Sequence, residues 1–119
     1  MPMDRDRRTE PQAPLRPVEF HILLSLATGE RHGYGIIRDI EQRGESVDVG
    51  TLYRALARLT EAGCIGAATR RPAADNDDER RNYYRLTPLG LRVAQAEARR
   101  LTALARHARL SGLLKEATP

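Results

Sequence analysis

Tryptophan is missing from this 119-residue chain, phenylalanine occurs once, and aromatic residues make up 4% of it. So little ring area leaves scant material for a pocket built on stacked aromatics. The single cysteine, Cys64, excludes an intramolecular disulfide framework and a C-x-x-C redox or zinc site. It is expected to act as a small buried hydrophobe. No stretch approaches the run of about 18 apolar residues that crosses a bilayer. The opening MPMDRDRRTEPQAP lacks the apolar core of a secretory signal, so a cytoplasmic protein with no membrane partner is expected. Catalytic and cofactor signatures are missing too. ATGERHGYG has neither the GK[ST] of a phosphate loop nor the G-x-G-x-x-G spacing of a dinucleotide site. Ser25, Ser46 and Ser111 stand in no nucleophile-elbow context, and no H-E-x-x-H occurs. His21, His32 and His107 lack metal-triad spacing, and the acidic DNDDE at 75–79 is not followed by EF-hand glycine and glutamate spacing. Neither an enzyme nor a cofactor or metal site is expected. Lysine is nearly absent as well: Lys115 is the only one, so arginine carries the net charge of +4 and the pI near 9.8. Arginine suits bidentate contacts with phosphate and guanine, although a GC-rich genome also favours it.

What is present is organised around residues 49–63, VGTLYRALARLTEAG. Leu52, Leu56 and Leu59 recur at i, i+4 and i+7 and form one helical stripe. The opposite face carries Gly50, Thr51, Tyr53, Arg54, Ala57 and Arg58: small, cationic and hydrogen-bonding. Asp48 is the expected N-cap, and Gly63 stands where a left-handed C-cap residue belongs. A short helix with an apolar back and such a front is shaped to enter a DNA major groove.

Residues 1–16 mix prolines and scattered charges and read as a disordered arm. Pro17 then suits a first helical position, with Val18, Ile22, Leu23 and Leu26 as a buried stripe ending near Thr28 and Gly29. A second helix after ERHG is expected to set Tyr34, Ile37 and Ile40 on one side and to stop at Gly44. Three short helices with glycine-marked turns are the helix-turn-helix pattern. Beyond Gly63 the period changes to 2, with Ile65, Ala67 and Thr69 on one face and Tyr84 and Leu86 on another. These two runs flank the charged loop RRPAADNDDERR, so they predict a hairpin, with Tyr84 turned to the core and Tyr83 more exposed. Thr87-Pro88 opens a long last helix that Gly112 closes, with Leu113 expected to pack back on its final turn. Leu91, Ala94, Ala98, Leu101, Ala105 and Ala108 follow a 3-4 spacing, the signature of helix pairing. An alanine-rich seam buries little area, at about 0.8 kcal/mol per CH₂. Leu104, Leu110, Leu113 and Leu114 are the residues available to reinforce it. The organisation expected is an arm (1–16), a winged-helix domain (17–87), a dimerisation helix (88–112) and a tail (113–119).

LLSLATGERHGYGIIRDIE (23–41), GTLYRALARLTEAG (50–63) and RRNYYRLTPLG (80–90), in this order and spacing, resemble the PadR family of winged-helix transcriptional regulators in its short form. The resemblance implies a mainly α (α+β) fold: a winged helix-turn-helix with a two-stranded wing and a long C-terminal dimerisation helix. It further implies a homodimer that binds a palindromic double-stranded DNA operator as a repressor, with a small-molecule effector as a further partner class. Gly50, Thr51, Tyr53 and Arg54 match the family's DNA-contacting helix start, His32 and Tyr34 its second-helix motif, and Arg80 and Arg81 its wing. Some members stack flat aromatic drugs on a tryptophan at the dimer centre, a residue this chain does not have. The competing reading is a winged-helix adaptor for protein contact alone, which would place apolar or acidic groups where Tyr53, Arg54 and Arg58 stand.

Overall fold

A computed structural model describes residues 14–68 and 82–114. Four helices and a small sheet follow one another as α1 (Pro17–Leu26), β1 (Arg31–His32), α2 (Gly33–Gln42), α3 (Val49–Glu61), β2 (Ile65–Ala67), β3 (Tyr83–Leu86) and α4 (Pro88–Leu110).

Proline at the first position of α1 starts the helix with its φ already set, and Glu19 turns back to accept the Arg16 N–H at 3.0 Å. Ile22, Leu23 and Leu26 are buried as the spacing predicts, and Val18 is partly so. Ser25 is buried among them and is satisfied from two sides. Its hydroxyl accepts from Arg43 at 2.7 Å, and its carbonyl accepts from Arg31 Nε at 3.0 Å. Arg31 also pairs with Asp39 at 3.1 Å. These arginines tie α1 to α2 and its approach, supplying the partners that a buried polar group requires.

The second helix departs from expectation in its face. Ile36 and Ile40 are buried, Ile37 only lies against the core, and Tyr34 points outward with 53% of its surface exposed. Its start also follows directly on a strand. β1 pairs antiparallel with β3 (Arg31 opposite Tyr84, His32 opposite Tyr83), and β2 pairs with the other edge of β3 (Ile65 opposite Leu86, Ala67 opposite Tyr84). The sheet therefore has three strands in the order β1-β3-β2, one more than the hairpin alone. Tyr84 and Leu86 pack against the core, while both Tyr83 and Tyr84 are half-buried.

The start of α4 is held firmly. The Thr87 hydroxyl accepts the Gly90 N–H at 3.0 Å and donates to the Gly63 carbonyl at 2.7 Å, and the Thr87 N–H reaches the Cys64 carbonyl at 3.1 Å. One residue thus caps α4 and joins it to the turn that ends α3. Cys64 is itself buried. The first turns of α4 lie on the chain's own core through Val93, Ala94 and Glu97. Ala94 is therefore a core residue and leaves the expected pairing seam. Beyond Glu97 the helix stands away from the core, with Leu101 and Leu104 exposed. Gly112, at φ +89°, closes it, and the Leu113 N–H bonds to the Ala108 carbonyl at 2.9 Å. The Leu113 side chain is exposed rather than packed back.

Glu97 is a buried carboxylate, 2% exposed, that Arg100 clasps with two hydrogen bonds of 2.9 and 2.7 Å. The Arg100 bonds hold its carboxyl below the ordinary value of 4.5 against the opposing effect of burial, and the Leu15 N–H adds to the same direction. A carboxyl that is more acidic in the fold than unfolded stabilises the fold above its ordinary value, and loses that contribution as pH falls through the folded value. Urea midpoints at about pH 7 and about pH 3 are expected to show a smaller acid-induced drop for Glu97→Gln than for the native chain. Equal drops would remove Glu97 from the acid response.

Candidate nucleic-acid interface

The site is built on α3. Leu52, Ala55, Leu56 and Leu59 are buried, so the helix can present only its other side, where Gly50, Tyr53, Arg54 and Ala57 are exposed. Asp48 caps it through Oδ1, which accepts the Thr51 N–H at 2.8 Å. Its Oδ2 accepts the Thr51 hydroxyl at 3.0 Å. The Thr51 oxygen, having donated its proton, accepts in turn from Arg54 Nη2 at 3.2 Å. The Thr51 N–H and hydroxyl hold the Asp48 carboxyl below its usual range, with Arg54 adding to this. Arg54 lies back over Gly50, where a β-carbon would stand 3.3 Å from Nη1. The guanidinium is thereby gathered at the N-terminal tip of α3 rather than trailing into solvent. The Asp48 carboxylate takes up the N–H groups of this first turn, and the guanidinium set beside it presents its remaining donors outward to a bidentate acceptor.

A second close approach brings α2 against this helix. The Tyr53 hydroxyl sits on Gly33, so closely that any β-carbon there would collide with it. His32 caps α2, its Nδ1 accepting the Gly35 N–H at 3.1 Å, and its ring meets Tyr83 edge-on with centroids 5.1 Å apart. Burial raises the Tyr84 phenol above its usual range, and Tyr53 adds to the rise. The start of α2, the front of α3 and strand β3 therefore meet around Tyr53, with Tyr34 exposed beside them.

Of the residues singled out from sequence, Gly50, Thr51 and Arg54 come together at one end of α3, and Tyr53 lies against Gly33, the residue between His32 and Tyr34. Arg58 does not share that arrangement. Its Nε is paired with Glu19 of α1 at 2.9 Å, and the Glu19 carboxylate is largely buried. Arg58 is thus a strut between α1 and α3. Arg80, Arg81 and the acidic stretch 75–79 lie outside the described residues. Sequence reasoning missed the bracing role of Glu19. Among the described residues, no group of three His, Cys, Asp or Glu side chains could hold a metal ion, and no helix is long and apolar enough to cross a membrane.

Helices α2 and α3 meeting across a short turn, followed by a strand pair and its returning helix, define a winged helix-turn-helix, a DNA-binding architecture. The chain belongs to the transcriptional regulator PadR-like family, whose family model matches residues 22–96. It is accordingly a DNA-binding transcriptional regulator and not an enzyme, which sets the adaptor reading aside. Similar solved structures include a transcriptional regulator from Clostridium thermocellum, Cth-833, 26% identical with a TM-score of 0.66, covering 82% of this chain and 90% of that one. A PadR family transcription regulator from Clostridium difficile R20291 is 22% identical with a TM-score of 0.69, covering 78% and 95%. Bordetella bronchiseptica BpsR, whose DNA binding is regulated by 6-hydroxynicotinic acid, shares the fold at 18% identity and a TM-score of 0.63, covering 85% and 66%. No curated protein matches the sequence.

The two arginines on α3 are expected to separate in a stability measurement. Arg58→Ala leaves the Glu19 carboxylate without its cation and should lower unfolding free energy by about 1 kcal/mol. Arg54→Ala, on the exposed front, should stay within about 0.5 kcal/mol of the native chain. Equal losses in chemical denaturation would contradict the division of labour between them.

Proposed function

We propose that the protein is a homodimeric repressor that binds a palindromic operator through the N-terminal end of α3, and that a small-molecule effector releases it. The observation that carries this reading is the Asp48–Thr51–Arg54 chain of hydrogen bonds, which stations a guanidinium over Gly50 at the helix tip. In that position Arg54 reaches a guanine edge, while Thr51 and Tyr53 flank it and His32 and Tyr34 approach the phosphate backbone. The net charge of +4 favours a polyanion and makes the affinity salt-dependent. Arg80 and Arg81 remain in the proposal as wing contacts to phosphate.

The partner copy packs along α4. Leu91, Ala98, Leu101, Leu104, Ala105 and Ala108 form the proposed seam, supported by the exposure of Leu91, Leu101 and Leu104 in a single chain. A dimer built there sets the spacing of two α3 helices, which must match about 34 Å, one duplex turn. Effector release acts on that spacing. Because Thr87 bonds to Gly63 and Cys64, a tilt of α4 is handed to the exit of α3 without slack. The fold shared with BpsR, whose DNA binding responds to a small molecule, supports this mode of control.

Selection of duplexes from a random pool, followed by titration at two salt concentrations, tests the reading. An enriched sequence with two inverted half-sites is expected, and Leu101→Asp should sediment as a monomer and bind that duplex much more weakly. No enrichment, or a Leu101→Asp variant that remains dimeric with full affinity, would overturn the operator or the seam respectively.

A further inference from the structure

Where α1 ends, β3 leaves the sheet and α4 begins, an open cavity of about 660 Å³ stands between them. That volume falls within the range of sites that hold small molecules. Its apolar walls are aliphatic, made by Leu26, Leu86, Pro88 and Leu91, and Leu91 is left partly in solvent. Glu30 supplies a carboxylate to the same wall. Its Oε1 is sealed from solvent and has no hydrogen-bond partner among the described residues. Two arginines stand near it, and both are committed elsewhere. Arg31, the next residue, is held by the Ser25 carbonyl, the Thr28 hydroxyl oxygen and Asp39. Arg85 follows Tyr84, the residue opposite Arg31, but it reaches the other way across Gly66. Its Nε donates to the Ala67 carbonyl at 3.1 Å. A buried carboxylate oxygen without a donor is costly, and a donor brought into the cavity would remove that cost.

We infer that this cavity binds a small organic cation, an alkylammonium whose N–H groups pair with Glu30 while its chain lies on the aliphatic walls, and that its occupancy governs DNA binding. An ammonium brings three donors and a charge of the sign Glu30 requires. The position gives the occupant its leverage. Thr87, also in the wall, ties the start of α4 to the exit of α3, and Leu91 begins the proposed seam. A molecule seated against both bears on the tilt of α4 relative to α3. This control rests on the reading of the chain as an operator-binding dimer released by an effector, and adds to it the effector's place and charge.

The test titrates the full-length protein with n-hexylamine, hexan-1-ol and hexanoate at about pH 7, followed by amide chemical shifts. Hexylamine is expected to shift amides at 26–30 and 85–91, and to bind about tenfold more tightly than either isostere, the scale of a charge-assisted hydrogen bond. Glu30→Gln keeps the shape of the side chain and should abolish that advantage. Equal binding of the alcohol, an unchanged preference in Glu30→Gln, or shifts confined to other residues would overturn the site. Saturating hexylamine should also weaken binding of the selected duplex about tenfold in the native protein and leave Glu30→Gln unaffected. Unchanged duplex affinity with the cavity occupied would overturn the control of DNA binding. A pool that yields no enriched duplex removes the operator reading and that control together, while the amine titration still decides the site.

Discussion

Everything in this molecule depends on which side of α3 is hidden. Leu52, Ala55, Leu56 and Leu59 are buried, and each fully buried leucine contributes roughly 1.5–3 kcal/mol. That burial sets the rotation of the helix about its own axis, and rotation decides what solvent meets. The Glu19–Arg58 pair adds a polar fix to the apolar one, since a largely buried carboxylate on α1 tolerates little movement of its cation. The exposed front is thus as much a consequence of core packing as of its own residues.

The elements around α3 refine this placement. Gly33 lets α2 approach Tyr53 at contact distance, and the short strand β1 anchors the same end of α2 to β3. On the far side, Thr87 binds the exit of α3 to the start of α4 through its hydroxyl and its N–H. The first half of α4 rests on the core, where Arg100 clasps the buried Glu97 carboxylate. A force on the outer half of α4 therefore acts on a rigid assembly. This is the physical basis for the proposal that α4 positions the helix that meets DNA.

Most of the fold was legible from local chemistry. Asp48 and Thr87 as caps, Pro17 and Pro88 as first helical residues, Gly63 and Gly112 as left-handed exits, and the leucine stripe each report on neighbours a few residues away. What escaped depends on partners distant in the chain. β1 is two residues long and exists through its pairing with β3, so it leaves no periodicity to read. Adjacent isoleucines at 36 and 37 allow two helical phases about 100° apart, and the Gly33–Gly35 start does not choose between them. Arg58 sits at the edge of the exposed face, and its carboxylate partner lies 39 residues earlier. Ala94 continues a pattern that reads as pairing, but α4 bends its use by packing its first turns on the chain's own core. In the site, Gly50, Thr51 and Arg54 were recognisable as a face; the direction of the hydrogen bonds joining them was not.

Hydrogen–deuterium exchange of the full-length protein, with and without its selected duplex, addresses the central claim most directly. Backbone amides across 48–58, together with those at 32–35, are expected to gain protection when the duplex is added. Protection confined to α4, with exchange in α3 unchanged at saturating duplex, would contradict the account.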